Sequence, residues 1–136
     1  MALCDAGLPI PYDLYEDGDL SLEGAYEACK RLLERGKPFS AIFCVNDEMA
    51  IGAMKALREA NLRVPEDVSL VGFDDIDIVE HLSPALTTVR VNKEVLGSIA
   101  VKHLLSLMSN PNPVSVTNVL EVELVKRNSV SRHPLQ

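Results

Sequence analysis

Two short, mostly apolar runs, each followed by polar residues, restrict most strongly what this chain can fold into. They are Ser40–Val45 (SAIFCV) and Val68–Phe73 (VSLVGF), with a helical pattern between them. Neither run alternates with period two, as expected of a parallel strand covered on both faces. Helical stretches joined to such strands by short loops imply right-handed crossovers and a parallel sheet. Asn46 and Asp47 follow the first run, and Asp74 and Asp75 the second. Asn46 and Asp74 should therefore stand on the same rim of the sheet. In open α/β sheets ligands bind beyond the carboxyl ends of the strands, which makes this rim the candidate site. Gly72, just before it, lets the backbone pass close to a neighbour.

The remaining elements are placed around these two runs. Residues 21–35 should form a helix with Ser21 as N-cap and Glu23 in the first turn, where the helix dipole favours an anion. Leu22, Ala25, Tyr26, Cys29, Leu32 and Leu33 make its apolar face, and Gly36 and Pro38 stop it. A second helix runs from Asn46 to about Ala60, with Ala50, Ala53, Met54, Leu57 and Ala60 on one face and Asn61 in the left-handed C′ position. Asp75 to His81 suits a short helix capped by Asp74 or Asp75, stopped by Pro84, before an extended Leu86–Val91.

Lys93–Met108 is predicted to be a helix with one polar stripe, Glu94, Ser98, Lys102 and Ser106, and apolar residues over the rest of its circumference. Such a helix needs partners on more than one side, so it should pack against something absent from this chain. Asn110–Pro113 breaks the chain. Val116–Arg127 has the alternation of a half-exposed strand, with Leu120, Val122 and Leu124 set against Glu121 and Glu123. Residues 128–136 look like a frayed tail. Residues 1–20 read as a loop marked by Pro9 and Pro11, and the start reads as a cut inside a larger protein.

Composition narrows the function classes. At 136 residues the chain has the length of one domain, and 47% hydrophobic with 24% charged residues is ordinary for a globular protein. A net charge of −7 argues against this piece gripping nucleic acid by itself. No run approaches the roughly 20 apolar residues of a membrane span, and the start is no secretion signal. Cys4, Cys29 and Cys44 show no metal-binding or paired spacing; a reducing compartment fits them, with Cys29 and Cys44 packed as small hydrophobes.

Catalysis has little support. His81, His103 and His133 are isolated, and there is no nucleophile elbow, Walker A loop or GxGxxG, so no metal or other cofactor is implied. Asp13, Asp17 and Gly18 imitate the start of a calcium loop, but Tyr15 and Gly24 occupy positions that must ligate. Asp47 with Asp74 and Asp75 resembles a Mg²⁺-holding cluster of a phosphoryl-transfer receiver, yet the acidic pair comes late and the expected Lys is missing. Binding of a neutral polar molecule asks for less. Asp74 can accept two hydrogen bonds, and the Asn46 amide can both donate and accept. Alternatively, both residues only cap the helices that follow them.

Four stretches together resemble the effector-binding domain of the lactose/galactose-repressor (LacI/GalR) family of bacterial transcription regulators. They are AIFCVNDEMAIGAMKAL at 41–57, VPEDVSLVGFDD at 64–75, SPALTTV at 83–89 and VELVKRNSV at 122–130. The resemblance implies an α/β, Rossmann-like parallel sheet with flanking helices, of the periplasmic-binding-protein-like type I and incomplete, mostly its C-terminal subdomain. Residues 1–90 and 119–136 would form that subdomain, and 91–118 would cross into the N-terminal one, which accounts for the apolar helix.

By position, Asn46 and Asp74 resemble the family's effector contacts, and Leu20 sits at a pocket wall that is often aromatic. Ile51, Met54, Lys55, Ile78 and Leu82 resemble its dimer interface; for Ile51 and Met54 ordinary core packing explains the residue equally well. The implied partners are a sugar- or nucleoside-like effector, a second copy of the chain, and operator DNA through a headpiece that this chain lacks, in the cytoplasm and away from membranes. The sequence departs from the family at Asn61, where Gly is usual, and at Val91-Asn92, where Gln-Pro is common. A transport-type periplasmic sugar-binding protein of the same fold is the alternative.

Overall fold

The structure, a computed structural model, describes residues 2–5, 7, 12–110 and 115–132. The Pro9 and Pro11 turn, the break at 111–113 and His133 lie outside the described residues. Four strands form one sheet: β1 (Ala41–Phe43), β2 (Ser69–Asp74), β3 (Thr87–Arg90) and β4 (Glu123–Val125), in that spatial order. β1, β2 and β3 are mutually parallel, and β4 adds antiparallel to β3. The helices are α1 (Ala2–Asp5), α2 (Leu22–Glu34), α3 (Asp47–Glu59) and α4 (Lys93–Ser109).

Local chemistry sets most of the helix ends. Ser21 Oγ accepts from the Gly24 N–H at 3.0 Å and starts α2. Asn46 Oδ1 accepts from the Met49 N–H at 2.7 Å and starts α3. At the far end of α3, Asn61 adopts φ 59°, its N–H donates to Arg58 O, and the Leu62 N–H reaches Leu57 O. These are the two bonds of a Schellman stop, with Asn in the place glycine usually takes. The acidic loop before α2 is not simply solvated, because Arg31 and Arg35 both bind Glu16, and Lys37 binds Asp13.

The core lies on one face of the sheet. Ala25, Cys29 and Leu32 of α2 and Ala50, Ala53 and Leu57 of α3 are buried together with Leu70, Val79 and Leu86. Small residues let the two helices approach closely: a Cβ on Gly52 would lie 2.1 Å from Leu22 O. The opposite face is open, with Phe43 64% and Val45 60% exposed. The expectation of strands covered on both faces is therefore met on one side only, because the described helices that pack on the sheet supply a single layer.

Two further expectations need correction. Residues 77–81 form a 3₁₀ helix, Asp77–His81, preceded by Ile76 with no side-chain cap, so neither Asp74 nor Asp75 caps it. The end of the chain is not frayed at 128–131. Ser129 is fully buried; its Oγ donates to Leu70 O at 2.6 Å and accepts from the Thr87 N–H at 2.8 Å. The Ser129 carbonyl also accepts from Leu70 N–H, so this segment continues the pairing of β2 where β3 has not yet begun. Helix α4 forms as expected, and none of its residues is buried: Leu104 and Leu105 are each 57% exposed. Among the described residues no helix is long and apolar enough to cross a membrane.

Candidate functional site

The register of β1 on β2 ends with Phe43 opposite Val71; Asn46 follows β1 by three residues and Asp74 is the last residue of β2. Both stand at the carboxyl ends of neighbouring strands. Asn46 is a working cap: Oδ1 serves Met49, and Nδ2 donates to the Leu20 carbonyl at 3.1 Å. One amide hydrogen and one lone pair remain for another molecule. The bond to Leu20 places that residue beside Asn46, with its side chain 61% exposed on the same rim.

The backbone around this rim is unusual. Asp19 (φ 51°), Leu20 (φ 65°), Asp74 (φ 107°) and Asp75 (φ 51°) all occupy the left-handed region that ordinarily favours glycine. Such conformations cost of order 1–3 kcal/mol each and persist where surrounding structure enforces them, often around binding sites. At Asp19 the enforcing groups are visible: its carboxylate accepts from the Ser21 N–H and hydroxyl, and lies against Gly24, where a Cβ would fall 2.0 Å from Asp19 Oδ1.

The three carboxylates at the strand ends have different fates. Asp47 is fully buried; Oδ1 accepts from the Thr88 hydroxyl at 2.6 Å and Oδ2 from the Ile76 N–H at 2.9 Å. Asp75 is 8% exposed and held by two cations, Arg127 Nη2 and Arg90 Nε, each at 2.7 Å. Burial works to raise the Asp75 carboxyl, but the bonds from Arg127 and Arg90 outweigh it and hold the group below the usual carboxylate range. Asp74 alone of the three makes no side-chain hydrogen bond or ion pair with the described residues. Three carboxylates sharing a Mg²⁺ is thus not the arrangement found. Two are consumed internally and one faces outward.

Asp74 lines an open, polar cavity of about 350 Å³ together with Asp77, Glu80, Arg90, Lys93 and Arg127. Asn46 and Leu20 do not line it. Thr88, Arg90 and Arg127 escape a reading of the sequence alone. Arginines ending β3 and following β4, near a pair of adjacent acids, were the available signal.

The residues assigned to an interface are dispersed in burial. Lys55 is exposed, its Nζ 4.5 Å from the centre of the Tyr26 ring, and Ile78 is 51% exposed. Ile51, Met54 and Leu82 are half-buried, and Met54 and Leu82 pack on the core. Met54 also shares a cleft of about 450 Å³ with Ser83 and Pro84, so the α3 face and the loop after the 3₁₀ helix are adjacent. Cys29 and Cys44 are buried free thiols, pushed up by burial to about 11 and about 12; Cys4 is exposed.

Comparison with known proteins identifies the family. A family described as periplasmic binding protein-like domain matches residues 1–130. The probable HTH-type transcriptional repressor ExuR of Bacillus subtilis (strain 168) is 38% identical over 131 residues, which is 96% of this chain and 39% of that protein. Among solved structures, a transcriptional regulator CelR–cellobiose complex superposes with a TM-score of 0.88 at 34% identity, covering 94% of this chain and 39% of that one. The lac repressor dimer bound to operator and the anti-inducer ONPF gives a TM-score of 0.83 at 33% identity, covering 94% of this chain and 44% of that one. The chain spans about two fifths of the length of the curated relatives it matches. It belongs to the periplasmic binding protein-like domain family.

Proposed function

We propose that this chain is the effector-sensing part of a LacI/GalR-type transcriptional regulator. It takes a small polar metabolite, a sugar or a nucleoside, against the rim that carries Asn46, Asp74 and Leu20. One observation carries the reading: Asp74 ends β2 with no side-chain partner among the described residues, while Asp47 and Asp75 beside it are satisfied. An ionised acceptor presented in this way suits hydroxyl or N–H donors of an uncharged ligand. The regulator names of the relatives support this reading over transport.

In the intact protein, residues 91–118 reach a second subdomain, and the apolar surface of α4 is buried there. A ligand that touches both subdomains favours the closed arrangement by its differential affinity for it. That shift is passed to a DNA-binding headpiece, in a cytoplasmic homodimer whose contact surface includes Ile51, Met54, Lys55, Ile78 and Leu82. The relative crystallised as a dimer on operator supports the last step. Catalysis has no role in this scheme.

Isothermal titration calorimetry of the intact protein with cellobiose, ribose, galactose and adenosine tests the reading. Asp74→Ala and Asn46→Ala should each weaken the best ligand by about tenfold or more. If both leave its affinity unchanged, the site assignment falls.

A further inference from the structure

Asp47 follows Asn46 directly in sequence, yet its carboxylate points the other way, into the molecule, where it is fully buried. It has room there because position 72 lacks a side chain: a Cβ on Gly72 would lie 2.2 Å from Asp47 Oδ1. One oxygen takes the Thr88 hydroxyl of β3 and the other the Ile76 N–H, two residues past Asp74. The turn Asp74–Asp75, left-handed at both residues, is thereby pinned at its two sides. Asp47 holds the amide that follows it, and Arg127 and Arg90 hold the Asp75 carboxylate.

We infer that Asp47 is a positioning residue of the rim, fixing the Asp74 arm to the Asn46 arm so that the two side chains keep one separation. The inference rests on the effector reading for its functional consequence, but the pinning itself does not. Its location at the first helical residue of α3 suits the role, because it ties the Ile76 N–H directly to the helix that Asn46 caps. Asp47→Ala removes both bonds. Asp47→Asn retains them if its oxygen serves the Ile76 N–H and its NH₂ donates to the Thr88 oxygen.

Two measurements on the intact protein test the inference. In amide hydrogen exchange, Asp47→Ala should speed the Ile76 amide by about tenfold or more while Leu70, in the preceding strand, stays within about twofold. Asp47→Asn should restore protection. In calorimetry with the same four ligands, Asp47→Ala should weaken the best of them by roughly tenfold without touching it. Exchange unchanged at Ile76, or raised equally at Leu70, overturns the pinning. If Asn46→Ala and Asp74→Ala weaken binding and Asp47→Ala does not, the positioning role falls while the effector reading stands. If none of the three matters, the effector reading falls, and exchange still decides the pinning. Should Asp47→Ala fail to fold, Asp47→Ser, whose side chain is too short to reach both the Ile76 N–H and the Thr88 hydroxyl, takes its place: affinity and Ile76 exchange both unchanged overturn the inference.

Discussion

Replacing Arg127 by Met removes one end of an ion pair that is nearly closed to solvent. The guanidinium is 15% exposed, donating at 2.7 Å to Asp75 and at 2.9 Å to the Leu86 carbonyl. Loss of a hydrogen bond to a neutral acceptor costs about 1 kcal/mol, and one to a charged acceptor about 1.5–3 kcal/mol. Methionine fills part of the stem, and Arg90 stays on Asp75, so a net destabilisation of about 2.5–4 kcal/mol is expected at pH 7.

The pH dependence separates the two contributions. The Asp75 carboxyl is lowered in the folded chain from its ordinary 3.8. Its share of the stability is therefore present above that ordinary value and is lost as pH falls through the lower folded value. Urea unfolding followed by circular dichroism, at pH 7 and at steps from pH 5 downward, reads the difference between wild type and Arg127→Met. It should shrink towards the roughly 1 kcal/mol of the Leu86 bond as the carboxyl is protonated. A gap below about 1 kcal/mol at neutral pH, or one that does not change with pH, would refute the assignment of this stability to the buried charge.

Ser129→Ala should lower stability by about 2–3 kcal/mol in the same urea assay, because Leu70 O and Thr87 N–H both lose a buried partner. Gly72→Ala should cost about 3 kcal/mol or prevent native folding, since its methyl group would collide with the Asp47 carboxylate; Gly97→Ala, with open space around it, should stabilise α4 by about 0.5–1 kcal/mol in thermal melts. A chromogenic disulfide reagent at pH 8 should titrate Cys4 at once. It should reach Cys29 and Cys44 only in denaturant, because both are buried and their thiols are pushed up to about 11 and about 12.

Features carried by neighbouring residues are legible in the sequence. Ser21 and Asn46 announce helix starts through side chains that act three positions on, Asn61 announces a helix end through its left-handed backbone, and the apolar surface of α4 outside its one polar stripe announces a need for partners. Contacts that join distant parts of the chain leave no local trace. Asp47 meets Ile76 and Thr88 across 29 and 41 residues, and Asp75 meets Arg127 across 52. In sequence Asp47 and Asp75 consequently look like outward-facing carboxylates, when each is neutralised or hydrogen-bonded from within. The stretch 116–127 reads as extended, alternating from Leu120 to Leu124, but the strand is Glu123–Val125, paired with a β3 only four residues long. Ser129 passes for tail because a lone hydroxyl carries no periodicity.

The chain departs from the sheet after Arg90 and comes back at Glu123, and those two residues are partners on a single rung. A detour that opens and shuts at one point can be swung, lengthened or exchanged without breaking any strand pairing below it. Arg90 bridges the junction electrically, gripping Glu123 on the returning arm and Asp75 on the turn beside Asp74. Tension applied to the detour would thus be felt first at the acidic turn, by way of one guanidinium.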